Sequence, residues 1–265
     1  MRGSDLRRGD GHPHPFVMGI LNVTPDSVSD GGLFTDTEAA VRHAFRMIDD
    51  GAEIIDIGAE STRPGFTPVP AEEEIRRLIP VIERLSESSD VPISVDTMKP
   101  EAASAAVSAG ADIINDVNAL RAPGMAELAA ETGVPVVIMH MPGDPASVHD
   151  QCMEGHVIPA VRAFLSERIE SLISSGVRRD NIIIDPGVGF GKTMEQNIEL
   201  VEHMDQLDLG VPVLAGLSRK RFLAVMYPGM DRDEATVSAS LKAAEKGADI
   251  LRVHDVRRMC QAFRT

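Results

Sequence analysis

The side chains best suited to chemistry fall into two groups. Arg63, Arg219, Lys220, Arg252 and His254 are cations or potential cations in a chain whose formal net charge is −15. A few aimed cations can dominate a local field whatever the total charge, and together they suit a phosphate or pyrophosphate held by charge-assisted hydrogen bonds. Arg252 and His254 are two residues apart in an extended run, so both project to one side of it. The second group is Asp96, Asn115 and Asp185. Carboxylates and an amide converging on one pocket match a flat ring rich in N–H donors and amide edges. Asp56 and Asp116 read as braces rather than binders, and His140, at the end of another run, is a further candidate lining residue.

These residues share a position as well as a chemistry. Short aliphatic runs recur at Phe16–Val23, Glu53–Ala59, Pro92–Thr97, Asp112–Val117, Pro135–His140, Ile182–Pro186, Val211–Ser218 and Asp249–Asp255. Runs such as Ile182-Ile183-Ile184 are what strands buried on both faces look like, which implies a parallel sheet. Between them lie segments of helical length and composition: Thr37–Asp50, Ala71–Ser86, Pro100–Ala109, Gly124–Glu131, Val157–Ser174 and Met194–Asp205. Gly51, Gly110, Gly133, Gly176 and Gly247 stand where helices should close. Eight strand–helix units fit a closed (β/α)8 TIM barrel better than an open sheet. Barrel enzymes carry their chemistry at the C-terminal ends of the strands, with phosphate near the last two. Polar residues end all eight runs here. A buried, unpaired polar group costs several kcal/mol, so such a gathering marks a common mouth.

Composition narrows the class further. Hydrophobic residues make up 43% of the 265 residues and aromatics only 3%, so the core must be aliphatic. The acidic balance argues against non-specific nucleic-acid binding and against an anionic membrane surface. No apolar run approaches a membrane span. Two distant cysteines, Cys152 and Cys260, indicate no disulfide framework, so the expected location is cytoplasmic. Residues 1–15 are polar and unlike a secretory signal. They are expected to lie outside the fold, as a flexible segment or an expression scar, with residues 16–265 forming a single domain. Gly187–Thr193 looks like a phosphate loop, but the first glycine of that motif would fall on Pro186. His12, His14, His140, His149 and His156 show no paired metal-ligand spacing.

Several long motifs carry a family resemblance. They are Met18-Gly19-Ile20-Leu21-Asn22-Val23-Thr24-Pro25-Asp26-Ser27, Gly58-Ala59-Glu60-Ser61-Thr62-Arg63-Pro64-Gly65 and Ser94-Val95-Asp96-Thr97. Ile114-Asn115-Asp116-Val117, Asp185-Pro186-Gly187-Val188-Gly189-Phe190-Gly191-Lys192, Ser218-Arg219-Lys220 and Arg252-Val253-His254-Asp255 complete the set. In order and spacing, the chain from Phe16 onward resembles the dihydropteroate synthase family of pterin-binding barrels. The resemblance implies condensation of 6-hydroxymethyl-7,8-dihydropterin pyrophosphate with 4-aminobenzoate, giving 7,8-dihydropteroate and pyrophosphate in folate biosynthesis. It also implies Mg²⁺ as cofactor, a homodimer and membership of a family that sulfonamides target. Carried over by position, Asp96, Asn115, Asp185 and Lys220 hold the pterin. Asn22, Arg63, Arg252 and His254 hold the pyrophosphate, with Asn22 near the metal. Thr62, Pro64, Ser218, Arg219 and Lys220 shape the aminobenzoate pocket. Asp96, Asp185, Lys220, Arg252 and His254 are the expected catalytic set, and the loop bearing Asp26 and Asp30 closes over the site.

One position departs from the family pattern. Val28 stands in the first loop where the family commonly has Phe, which points to a looser amine pocket or a modified arylamine. The other alternative is a pterin-dependent methyltransferase of the same superfamily, which has no need of the cationic corner formed by Ser218-Arg219-Lys220 and Arg252-Val253-His254.

Overall fold

The eight aliphatic runs form eight parallel strands, each shorter than its run. The protein is described by a computed structural model that covers residues 1–9, 12–23, 33–60, 69–143 and 152–264, with backbone only at 33–36. The strands are β1 (Phe16–Asn22), β2 (Ile54–Gly58), β3 (Ile93–Asp96), β4 (Ile113–Asp116), β5 (Val136–Met139), β6 (Ile182–Asp185), β7 (Leu214–Ala215) and β8 (Ile250–Val253). Among them lie α1 (Leu33–Asp49), α2 (Ala71–Ser86), α3 (Pro100–Ser108), α4 (Met125–Thr132), α5 (Val157–Ser174), α6 (Met194–Glu202), α7 (Leu223–Met226), α8 (Arg232–Glu245) and α9 (Val256–Ala262). The five glycines expected to close helices all have positive φ, from 66° to 112°.

Each strand from β1 to β5 pairs in parallel with the next, β8 returns to β1, and β7 pairs with β8. The circle closes where Ile184 bridges Val213 and the Ile184 N–H donates to the Pro212 carbonyl at 2.9 Å. The seventh run was expected to be a strand over Val211–Ser218 but pairs regularly over two residues only. Pro212 has no N–H to give to a ladder, and beyond Gly216 the chain turns away, with Arg219 in the left-handed region at φ 59°.

Strand alternation sorts the barrel into an inside and an outside. Residues such as Ile55, Ile57, Val95, Ile114, Ile138, Ile184 and Leu251 face the helices and join one large aliphatic core. Met18, Ile54, Ile113, Val137, Ile183, Leu214 and Ile250 fill the interior at the end where the strands begin. Leu6 packs into that same layer and is only 3% exposed.

Residues 3–8 therefore pack against the barrel, contrary to the expectation from their composition. Gly3–Leu6 makes a short 3-10 turn that carries Leu6 under the barrel. The Arg8 N–H donates to Asp249 Oδ1 at 3.1 Å, and Arg7 pairs with Asp208 at 3.2 Å. The physical reason is the open lower end of an eight-stranded barrel: its apolar layer needs a cover, and one leucine in a polar segment supplies it.

Candidate active site

In β2, β4, β6 and β8 an isoleucine is followed two residues later by a polar residue: Ile54 and Asp56, Ile113 and Asn115, Ile183 and Asp185, Ile250 and Arg252. The two-residue period keeps both on the inner face. The isoleucine goes to the lower layer and the polar residue to the mouth, at the C-terminal ends of the strands.

Arg252 lies at the centre of the cluster. Its Nε donates to Asp56 Oδ2 and its Nη2 to Asp96 Oδ2, both at 2.6 Å. Asp56 is fully buried and also accepts from Ser94 Oγ at 2.6 Å and from Asn115 Nδ2 at 3.2 Å and 3.3 Å. It therefore braces the mouth, as expected. Asp116 does the same for the turn after β4, accepting from the N–H groups of Asn118 at 2.7 Å and Leu120 at 2.8 Å. The unforeseen point is that Arg252, expected at the cationic corner, reaches across to β2 and β3. An uncompensated carboxylate as deep as Asp56 would be costly, and Arg252 neutralises it. Two of its five N–H groups are used in this way, so its charge is shared between the acids and whatever enters the mouth.

The other polar residues take up the opposite wall. Asp185 Oδ1 accepts from the Gly187 N–H at 2.7 Å. Lys220 Nζ donates to the Val188 carbonyl and stands 4.7 Å from the centre of the Phe190 ring. Ser218 Oγ lies 2.8 Å from His254 Nδ1 and accepts from the His254 N–H at 3.2 Å, tying the end of β7 to the end of β8. Burial shifts the ionisations. It pushes the Asp96 carboxyl up to about 7, with Arg252 pulling the other way and Asp56 and Asp116 adding to the rise. It raises Asp185 against the pull of Lys220, and lowers the Lys220 ammonium to about 8 against the pull of Asp185. Titratable groups displaced together at the strand ends mark a candidate functional site.

Two expected residues fall differently. Arg219 turns outward, is exposed, and forms a bidentate pair with Asp233 at 2.7 Å and 3.0 Å. Its left-handed backbone aims the side chain away from the mouth while Ser218 and Lys220 aim towards it. His140 is buried, with its carbonyl 3.4 Å from Lys192 Nζ and its ring edge-on to Phe164. Burial with Lys192 nearby lowers its pKa to about 3, so it stays neutral. Asn22 ends β1 at the mouth and is exposed. Thr62, Arg63 and Pro64, like Asp26, Val28 and Asp30, lie outside the described residues.

Some contributors were not anticipated. Lys192 is buried and donates to the Gly187 carbonyl at 2.8 Å and the Phe190 carbonyl at 3.0 Å, pinning the loop after β6 from within. In that loop Gly187 has φ 65°, and a Cβ there would stand 1.9 Å from the His140 carbonyl oxygen, so only glycine fits. Val117, Met139 and Met141, with Met98 and Phe190, form an apolar cluster of their own. Phe190, between two glycines in a motif already singled out, was the available signal for it. Lys99 bridges Glu60 at 2.7 Å and the almost fully buried Glu74 at 2.6 Å, and Glu60 also accepts from the Val69 N–H at 2.6 Å. Glu60 and Val69 are thus tied to each other and to Lys99. A separate cleft of about 280 Å³ lies at the other end of the barrel, beside Arg7, Asp208 and Lys246. Arg7 pairs there with Asp208 and Lys246 with Asp205, so it offers charges already matched.

Residues 18–254 match a family described as pterin binding enzyme. The dihydropteroate synthase of Escherichia coli (strain K12) is 42% identical over 254 residues, 95% of this chain and 90% of that one. A structure of the Xanthomonas albilineans dihydropteroate synthase with 4-aminobenzoic acid superposes with a TM-score of 0.89 at 51% identity, covering 95% and 92% of the two chains. Another, of the enzyme from the same organism in complex with 7,8-dihydropteroate, gives 0.84 at 47% identity with the same coverage.

Proposed function

The chain belongs to the pterin-binding enzyme family, among the dihydropteroate synthases, and from that premise we infer how its mouth works. It is a transferase that joins the methylene carbon of 6-hydroxymethyl-7,8-dihydropterin pyrophosphate to the amine of 4-aminobenzoate and releases pyrophosphate. The observation that carries the reading for this chain's own residues is the single cluster in which Arg252 joins Asp56 and Asp96 while Asp185 and Lys220 face it.

Each group then has a task. Asp185, Asp96 and Asn115 hold the N–H edge of the pterin, Lys220 its acceptor edge, and Met139 and Phe190 offer apolar surface to its faces. Arg252 and His254, with Arg63, hold the pyrophosphate. As the carbon–oxygen bond breaks, negative charge grows on the pyrophosphate and positive charge on the pterin methylene. Arg252 answers the first, and the ionised Asp96 and Asp185 the second, in a site where preorganised charge is worth more than in water. The amine nitrogen forms its bond to the methylene and gives up its proton to the departing pyrophosphate or to water, and no covalent enzyme intermediate is needed. Ser218 orients His254, and with Lys220 it borders the amine pocket. Arg219 contributes through its pair with Asp233, by fixing the turn that presents Ser218 and Lys220.

Mg²⁺ is the proposed cofactor. Asn22 offers a hard amide oxygen at the mouth, a ligand type that suits Mg²⁺. Bound there, it would neutralise the leaving group. A homodimer is proposed, as the resemblance to this family implies. No helix among the described residues is long and apolar enough to cross a membrane. Both cysteines are free, which supports a cytoplasmic location.

The test is pyrophosphate release from purified protein given Mg²⁺ and the pterin pyrophosphate, with and without 4-aminobenzoate. Release that depends on the amine, with dihydropteroate formed, is expected. Pterin pyrophosphate binding without product would move the second substrate to a different arylamine, the possibility that Val28 raises.

A further inference from the structure

The rim opposite the mouth holds a second cluster of ligand-type side chains. His12 and His14 lie two residues apart just before β1, and Glu53 stands immediately before β2. One ligand atom from each of the three comes within 4.8 Å of the others. The strands run in parallel, so the residues that precede β1 and β2 share one edge of the barrel. From His14 to Asn22 the chain covers roughly 25 Å at strand rise, so this cluster is independent of the active-site reading.

The surroundings of the rings argue for a ligand rather than an accident of packing. His12 Nδ1 lies 2.6 Å from the His14 carbonyl, and His14 Nδ1 lies 3.2 Å from the Pro15 carbonyl. A carbonyl only accepts, so each ring donates through Nδ1, and the Nε2 of His12 is hydrogen-bonded to Glu53, a contact that a bound ion would replace. That arrangement, a ring whose second nitrogen is held by a backbone carbonyl, is the outer shell that orients metal-bound histidines. Glu53 is held in the same way: its Oε2 accepts from the Val17 N–H at 3.1 Å, leaving Oε1 turned to His12 Nε2 at 2.5 Å. Stacking on Phe16, with ring centres 3.7 Å apart, fixes the His12 plane, and His14 stacks on Phe263 at 5.1 Å.

We propose that His12, His14 and Glu53 bind a divalent transition-metal ion of the Zn²⁺ class, which fastens the N-terminal segment to the floor of the barrel. Two imidazole nitrogens and one carboxylate oxygen are a ligand set that suits Zn²⁺ and leaves a fourth position for water. With metal–ligand bonds of about 2.0–2.1 Å, tetrahedral ligands stand about 3.3 Å apart, so His12 Nε2 and Glu53 Oε1 need to separate by less than about 1 Å. The ion would serve as a cross-link, with its fourth position left to water. It would bind the folded chain through residues on either side of β1 and α1, so it would raise folded-state stability by mass action.

The experiment is calorimetric titration of the whole chain with ZnCl₂, together with Tm measured with and without zinc. One site per chain with micromolar or tighter Kd is expected, with a zinc-dependent rise in Tm. His14→Asn and, separately, Glu53→Gln should each weaken that site at least tenfold and abolish the rise in Tm. Dihydropteroate formation with Mg²⁺ should be unchanged in His14→Asn, which also reports that the variant is folded. Absence of zinc binding by the unaltered chain would overturn the proposal. So would undiminished binding in both variants, which would place the ion elsewhere.

Discussion

The two ends of this barrel are built from the same strands two residues apart, and they are opposites. At the lower end Met18, Ile54, Ile113, Val137, Ile183, Leu214 and Ile250 meet under Leu6 in an apolar layer. At the mouth the next inward positions carry Asp56, Asn115, Asp185 and Arg252, and beside them burial raises the Asp96 carboxyl and lowers the Lys220 ammonium. The lower layer gains free energy for every apolar group it removes from water. The mouth gives some of that up, holding carboxylates and cations close together in a cleft where they are only partly matched. The contrast teaches that one strand can serve both purposes, because a step of two residues changes the depth of a side chain without changing its face.

The comparison can be broken first at Asp185. Asp185→Asn keeps the shape and removes the charge, and kcat/KM for pterin pyrophosphate should fall at least a hundredfold, about 2.7 kcal/mol of transition-state stabilisation, while Tm changes little. Near-normal kinetics would remove Asp185 from the pterin site. Leu6→Ala is the mirror experiment. It should cost about 2–3 kcal/mol of stability in denaturant unfolding, the usual loss for a buried leucine, and leave kcat near its normal value. A variant as stable as the unaltered protein would mean that Leu6 does not seal the barrel.

A third experiment uses the displaced ionisations. Asp96 must be ionised to stabilise the pterin cation. Its pKa is raised to about 7, so kcat/KM should fall as pH drops through about 7, to about a tenth by pH 6. Lys220 must stay charged. Its pKa is lowered to about 8, so activity should fall again as pH rises above about 8. The outcome is a narrow optimum, and Asp96→Asn should lose the acid limb. A flat profile from pH 6 to 9 would refute both assignments. The smallest effect is expected at Arg219, whose ion pair with Asp233 is exposed. Arg219→Ala should cost under about 1 kcal/mol of stability and change kcat/KM only a few-fold. A hundredfold loss would return Arg219 to direct contact with substrate.

Much of this was legible in the residues. The continuous aliphatic runs marked the strands, because a strand buried on both faces has no reason to alternate, and all eight regular strands lie within those runs. The polar ends of the runs marked the mouth, and Asp56 and Asp116 were separable as braces. What was not legible depended on neighbours remote in sequence. Lys192 looked like part of a failed phosphate loop, and its task of pinning the loop through Gly187 and Phe190 becomes visible only once that loop folds back over β6. Residues 1–15 looked dispensable, because one leucine in a polar segment carries no periodic signal.

The amino-acid sequence by itself determined the eight strand–helix units, the end of the barrel that would be polar, and the types of group available there. Those are local matters of propensity, alternation and residue chemistry. The tertiary structure alone decided which charges meet. Arg252 finds Asp56 across 196 residues and Asp96 across 156, while Arg219, its expected companion, finds Asp233 outside. Charges are paired by closure of the barrel, which sets distances that no local pattern encodes, and a buried carboxylate takes whichever cation that closure brings within reach.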